Sequence, residues 1–130
     1  MALSLNELKA LLETQSDLTV SLENDAILLG NEDGVDAFLT VSGEQILVEA
    51  LLCPVSQIKD PIAFNDVALR SHKNMFSLTS IGITSIAGDD FYVAFGALSS
   101  ESKPESVLIE IDTLFLNVEG MIEFFEAYLG

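Results

Sequence analysis

Apolar residues recur at spacings of three and four along the last quarter of the chain, from Pro104 to Leu129. This spacing is typical of one face of an α-helix, and a second apolar row with a seven-residue period widens that face. The pattern predicts a helix roughly 39 Å long, enough to cover a small sheet. The first row is Leu108, Ile111, Phe115, Val118, Ile122, Phe125 and Leu129, and the second is Val107, Leu114, Met121 and Tyr128.

The acidic residues of the same segment are expected to face water. They are Glu110, Asp112, Glu119, Glu123 and Glu126. Ser102 and Glu105 have the spacing of a capping box, with Pro104 early in the first turn. Alternation over Val107–Ile111 is also compatible with the end of a strand, but the heptad rows continue through it and favour helix.

A second capping-box pattern, Ser4 and Glu7, opens the chain, and Leu3 with Leu8 forms a hydrophobic staple. These residues predict a short amphipathic helix that ends near Gln15. Such a helix is too short to be stable alone, so its leucines should dock on the rest of the domain.

Between residues 18 and 54 the apolar period changes to two, which indicates strands. Leu18–Leu29 is either a strand pair or one bent strand. Further strands are predicted at Val35–Val41 and Gln45–Cys53, after turns at 31–34 and 42–43. Links this short imply antiparallel pairing.

Asp60 and Pro61 predict the start of a helix that reaches about Lys73. Phe76–Ile86 and Phe91–Leu98 then read as two strands joined by a turn at 88–90. Together the elements predict a single α+β domain over residues 1–130. Its expected core is a twisted antiparallel sheet of about five strands, with the helices packed mainly on one face.

The chain has 130 residues and a formal net charge of −16, which opposes binding to nucleic acids and to anionic membranes. Hydrophobic residues make up 49% of it, so intrinsic disorder is not expected. The acidity has two readings that the sequence leaves open: it serves solubility, or it attracts a basic segment of a partner.

Cys53 is the single cysteine, so no internal disulfide can form. The first residues lack the basic and apolar regions of a signal peptide, and no apolar run is long enough to cross a bilayer. We therefore expect a cytoplasmic protein without membrane insertion.

Candidate chemistry is sparse. Cys53 and His72 could form a catalytic dyad in number, but an apolar context around the cysteine favours a buried structural thiol. The segment 31–34 resembles part of a calcium loop, but the first and last ligand positions would be Leu29 and Thr40. Asp89 and Asp90 read as a solvated turn. We predict no catalytic, cofactor-binding or metal-binding residues and no enzyme activity.

Two surfaces are candidates for interaction. The first is a partner or dimer surface. The two apolar rows and the strand Phe91–Leu98 present more apolar surface than one thin sheet face obviously covers, and this excess predicts a homodimer. The surface comprises Leu114, Met121, Tyr128, Phe91, Phe95 and Gly96, the last also a candidate for a bulge or a close backbone approach. The second is the lone basic patch of Arg70, His72 and Lys73. Its positive charge either stabilises the end of a helix or binds an acidic element.

Almost the whole chain resembles the YjfI-like family of small bacterial proteins of unknown function. The resemblance is carried by Phe64-Asn65-Asp66, the segment 70–73, Gly82-Ile83, Phe91-Tyr92-Val93, the segment 95–99, Glu110-Ile111 and Asn117-Val118. Some members are encoded beside PspA-like envelope-stress proteins, so the resemblance implies such a protein as a candidate partner. The family implies no catalytic residues.

The order of elements, the small size and the acidity also resemble type III secretion chaperones, which are acidic cytoplasmic homodimers that bind extended client segments. This likeness concerns architecture only. The resulting prediction is a non-enzymatic, chaperone-like or adaptor-like module that binds another protein, for example through a basic apolar segment of that protein. The alternatives are a small hydrolase or transferase with an acid-lined site, and a structural subunit of a complex.

Overall fold

A computed structural model describes residues 2–130. Over that range the chain forms three α-helices, six strands and one short 3-10 turn. The helices are α1 (Leu5–Glu13), α2 (Pro61–Met75) and α3 (Pro104–Glu126), and the turn is Val55–Gln57. The strands are β1 (Thr19–Glu23), β2 (Ala26–Gly30), β3 (Asp36–Ser42), β4 (Gln45–Pro54), β5 (Ser80–Ile86) and β6 (Asp89–Ser99).

The strands form one open, twisted antiparallel sheet in the order β1-β2-β3-β4-β6-β5. The predicted α+β architecture is confirmed. The sheet has one strand more than expected because Leu18–Leu29 folds as a pair, with Asn24 at a positive φ of 53° between the strands. β1 and β5 are its two edges.

The two faces of the sheet are distinguished by Gly96 on β6. A Cβ atom at this residue would lie only 3.0 Å from Cδ of Glu110, so Gly96 faces α3. Side chains alternate along a strand, and therefore Phe95 and Ala97 point to the opposite side, which we call the outer face. The three helices and the inner face enclose one apolar core, with fully buried Leu8 of α1, Phe64 of α2 and Leu114 of α3.

An aromatic cluster joins the ends of α2 and α3 to the sheet. The Phe64 ring lies 5.1 Å from Tyr92 and 4.6 Å from Phe125 between centroids. Tyr92 also donates its hydroxyl hydrogen bond to Asn65. These edge and tilted contacts add to the area buried by each ring, so the cluster fixes α2 beside β5 and β6.

The helix starts only partly follow the sequence prediction. Ser4 and Glu7 form the predicted capping box, with both hydrogen bonds at 3.1 Å. The predicted box of Ser102 and Glu105 is wrong, because α3 begins at Pro104 and its N-cap is Lys103, which makes no side-chain capping bond. Proline prefers the first helical position, and this sets the start one residue later.

Residues 107–111 are helical, as favoured, but Glu110 does not face water. Its side chain is only 5% exposed, and within residues 2–130 its Oε2 atom has no hydrogen-bond partner. Burial raises the pKa of the Glu110 carboxyl above its ordinary value. Gly96 therefore marks the close approach of a helix side chain rather than a bulge or a neighbouring backbone. The register of β4 and β6 shifts elsewhere, between Leu51 and Cys53.

Candidate functional site

The outer face of the sheet carries apolar side chains that no helix covers in the described residues. Across neighbouring strands Leu28 pairs with Phe38, and Phe38 pairs with Glu49. Leu28 is 37% exposed and Leu51 is 41% exposed. Partial burial on this face raises the pKa of the Glu49 carboxyl. Contiguous exposed apolar surface of this kind marks interaction sites more often than isolated exposed leucines do.

Part of this surface continues into a groove of about 740 Å³, which we call the corner cleft. The pairing of β3 with β4 stops at Phe38 and Glu49, whereas β4 continues to Pro54 paired with β6 alone. The two strands part there, and the cleft lies beside that point, with Val118 and Ile122 of α3 in its lining. Its apolar lining includes Val20, Leu28, Val35, Phe38, Leu51 and Ile122.

The β2–β3 turn forms one wall of the corner cleft and has a defined local structure. The side-chain oxygen of Asn31 accepts hydrogen bonds from the backbone N–H of Asp33 at 3.1 Å and of Val35 at 2.8 Å. Gly34 adopts a φ of 82°, a conformation that favours glycine. The turn predicted at 31–34 is thus present, and the Asn31 side chain binds the backbone N–H groups of both Asp33 and Val35.

A second, smaller groove of about 220 Å³ adjoins the corner cleft on the other side of this turn. We call it the acidic groove, since its lining contains five carboxyl groups and no Lys or Arg: Asp17, Glu32, Asp33, Asp112 and Glu119. Its other lining residues are Leu18, Asn31, Phe115 and Leu116. The two grooves meet along the chain at residues 18–19, 33–34 and 118–119.

Like charges crowd in the acidic groove. Desolvation and the neighbouring Asp17 raise the pKa of Asp112, and a hydrogen bond and the charge of Asp33 raise the pKa of Glu119. Each shift has the direction that carboxylates facing other carboxylates must show. The groove would therefore gain from a positive charge that the lining itself does not supply.

Three of the six residues predicted to form the partner or dimer surface are buried. Leu114, Met121 and Gly96 are buried within the chain, so their assignment to an exposed surface is wrong. The second apolar row of α3 packs on the sheet because the helix lies close enough to bury a wide face. Phe91 and Phe95 are half-buried; Phe95 lies on the outer face, where its ring covers Gly82. Half-buried Tyr128 packs against Phe64.

The basic patch lies on α2. Arg70 forms an exposed ion pair of 2.9 Å with Asp66 one turn earlier, and His72 Nδ1 lies 2.8 Å from the carbonyl oxygen of Ala68. Lys73 is exposed near the end of the helix. Two of the three residues thus have partners within their own helix, and stabilisation of the helix end by the patch stays a prediction.

Beside α2, a third groove of about 200 Å³ lies against the edge strand β5 and is lined by Ala68, Leu69, Ile81, Ile83 and Tyr92 among others. Leu69 is 69% exposed and Ile83 is 51% exposed. An edge strand with exposed apolar neighbours offers both hydrogen-bonding groups and burial to another chain.

The two residues of the candidate catalytic dyad lie on different elements, Cys53 on β4 and His72 on α2. Cys53 is a half-buried free thiol on β4, and burial raises its pKa, which disfavours the reactive thiolate. In residues 2–130 there is no group of three or more His, Cys, Asp or Glu side chains arranged to hold a metal ion. Over the same range no helix has both the length and the apolar character to span a membrane.

Two solved structures share this fold. The chain superimposes on one in the crystal structure of the ExsC–ExsE complex with a TM-score of 0.71 at 17% identity, covering 96% of this chain and 97% of the other. Against the structure of the HopA1–SchA chaperone–effector complex, the TM-score is 0.63 at 18% identity, with 92% and 90% covered. The chain therefore shares its fold with both structures, one of which is a chaperone–effector complex, and the predicted likeness of architecture is confirmed at the level of the fold.

The chain itself belongs to a bacterial family, described as "Uncharacterized protein conserved in bacteria (DUF2170)", which matches residues 1–129. It is 38% identical over 117 residues to the uncharacterized protein YjfI of Escherichia coli strain K12. That alignment covers 89% of this chain and 86% of the relative. The predicted resemblance to the YjfI-like family is confirmed.

The sequence did not reveal the corner cleft or the acidic groove. Both arise where residues distant in sequence meet, and their position depends on where β3 and β4 part. The local signal in the sequence is the acidic turn at 31–34, which contributes Glu32 and Asp33 to the acidic groove.

Proposed function

We propose that this chain is a non-enzymatic, chaperone-like module of the bacterial cytoplasm that binds an extended segment of another protein. The observation that carries the proposal is the corner cleft, an open and mainly apolar groove next to a stretch of β4 that β3 leaves unpaired. An extended segment can bury apolar side chains in such a groove and use free strand groups for main-chain hydrogen bonds. Support also comes from the shared fold, since one structural neighbour is a chaperone–effector complex.

The shape of the site also bears on the enzyme alternative. A catalytic pocket is expected to be concave, with a few polar groups converging on one point. The corner cleft is instead broad and lined mainly by aliphatic and aromatic side chains from the sheet and α3, with Thr19, Ser21 and Asp36 as its polar side chains. Binding of a chain segment fits this surface better than chemistry on a small molecule.

The partner can be tested by affinity capture with matched variants. Leu51→Asp and Leu28→Asp place a charge in the corner cleft, whereas Ile109→Asp places one on an exposed part of α3 outside its lining. We expect the wild type and Ile109→Asp to retain a specific partner that both cleft variants lose, with unchanged circular dichroism. A PspA-like envelope-stress protein, purified separately, is the first partner to assay. Equal binding by all four proteins would contradict the proposal.

We further propose that the chain forms a homodimer through the surface between α2 and β5. Residues 61–86 contain one acidic and two basic residues, while the remaining chain contains 20 acidic and three basic residues. Two copies therefore repel each other least along this surface. Light scattering should report a dimer for the wild type and a monomer of about 14 kDa for Leu69→Glu/Ile83→Glu. A monomeric wild type at tens of micromolar would contradict self-association.

A further inference from the structure

The acidic groove and the corner cleft form one continuous surface. Leu18 and Thr19 on one side and Glu119 and Val118 on the other connect them. Both grooves also share the β2–β3 turn, which the Asn31 side chain holds in place. A chain segment that lies in the corner cleft can therefore continue into the acidic groove without leaving the protein surface.

Apolar side chains also contribute to the lining of the acidic groove. Leu18 and Phe115 contribute to it, and Leu116 lies between two of the carboxylates in sequence yet is 69% exposed. An aliphatic stem that ends in a cation matches such a mixed surface, because the methylene groups contact the apolar residues while the charged head remains near the carboxylates. Lysine and arginine are the side chains with this construction.

The charge of the lining selects the sign of the partner. Five carboxyl groups line the groove without a basic residue. Of the basic side chains elsewhere, Lys9 pairs with Glu13 and Arg70 with Asp66, in both cases within their own helices. An acidic or neutral segment would leave the crowded carboxylates uncompensated, whereas a basic one would relieve their repulsion.

We propose that this continuous surface binds a partner segment whose apolar side chains occupy the corner cleft and whose adjacent Lys or Arg side chain occupies the acidic groove. The inference rests on the proposed function and specifies the chemistry of the client. It assigns affinity mainly to burial in the cleft and selectivity to the acidic groove.

The test uses two synthetic peptides as probes. Both alternate Leu and Thr to favour an extended conformation, and one carries two Arg residues at one end where its twin carries Gln. We expect the Arg peptide to bind about tenfold more tightly at low salt, since partly exposed ion pairs each contribute only modestly to affinity. The difference should shrink at about 0.5 M salt, where the Debye length falls to roughly 4 Å. Fluorescence anisotropy measures both affinities.

A pair of charge-matched variants separates the acidic groove from the general acidity of the chain. Asp112→Asn/Glu119→Gln removes two carboxylates from the groove. Glu44→Gln/Glu101→Gln removes two exposed carboxylates that do not line it. We expect only the first variant to lower the affinity for the Arg peptide to nearly that for the Gln peptide.

Amide shift mapping on the labelled protein then separates the outcomes. If both peptides shift amides of the corner cleft with equal affinity, the proposed function stands and this inference is overturned. Equal losses in the two charge variants would overturn it as well, because the attraction would then come from net charge alone. If neither peptide shifts amides of the corner cleft, the inference and the proposed function fail together.

Discussion

Replacing Glu110 with methionine should stabilise the protein. The carboxyl of Glu110 is almost completely buried between α3 and β6, and Oε2 has no hydrogen-bond partner in the described chain. A buried acceptor without a partner costs about 1–3 kcal/mol, and a charged one costs more. Methionine has a similar length and adapts to irregular space, so it removes this cost without a new cavity. We therefore expect Glu110→Met to raise the free energy of unfolding by about 1–3 kcal/mol at pH 7.

The gain should depend on pH in a defined direction. Burial raises the pKa of Glu110 in the folded chain above the ordinary value of 4.5. A raised pKa in the folded state means that the wild type is favoured below the unfolded pKa and loses stability as the pH rises through the folded pKa. The advantage of Glu110→Met should therefore be larger at pH 7.5 than at pH 5. Lower pH values are avoided since the isoelectric point is about 4.1.

Urea unfolding followed by circular dichroism measures these differences. Glu110→Gln provides a second comparison, because it cannot titrate but still buries a polar group; its gain over the wild type should be smaller at each pH and should increase with pH in the same direction. Glu126→Met, at an exposed position of the same helix, controls for relief of net charge. The reasoning would be refuted if Glu126→Met stabilised the chain as much as Glu110→Met, or if Glu110→Met destabilised it.

Three further predictions concern residues of α2 and α3 and their contacts. Gly96→Ala should destabilise by about 1–3 kcal/mol through overpacking against Glu110, and a double-mutant cycle should show that the penalty disappears in the Glu110→Ala background. Asn117→Ala should cost about 1–2 kcal/mol in urea unfolding, since this side chain donates hydrogen bonds of 2.7 and 2.8 Å to the segment before β5. Arg70→Glu/Lys73→Glu should lower the melting temperature slightly and leave partner binding intact; loss of partner without loss of stability would assign the site to the basic patch.

The sequence predicts best those features that depend on neighbouring residues. Ser4 and Glu7 meet across one helical turn, so their spacing alone identified the capping box. The same spacing failed at Ser102, where Pro104 determines the helix start. The sequence leaves the extra strand ambiguous, because the polar residues between the two apolar halves of Leu18–Leu29 can form either a turn between two strands or a bend within one.

The features that the sequence misassigned depend on distant contacts. Heptad spacing placed Glu110 among the solvent-facing acids, since the pattern cannot show that a glycine of β6 leaves room for its carboxyl. Leu114 and Met121 were assigned to a surface for the related reason that the width of the covered helix face depends on how closely α3 approaches the sheet. Gly96 was the available signal: a glycine inside a strand pattern indicates a close approach, but not by which residue.

The distribution of charge connects the two proposed surfaces. The α2–β5 surface belongs to residues 61–86, a segment without net negative charge, whereas the acidic groove is lined by residues of the turns near 17 and 31–33 and of the middle of α3. The strand order places β5 at one edge of the sheet and β1 at the other. A dimer through β5 therefore leaves the corner cleft and the acidic groove open in both copies. Because the two surfaces are separate, variants that break the dimer should retain the intrinsic affinity for a single client segment and lose only the gain from two-site attachment.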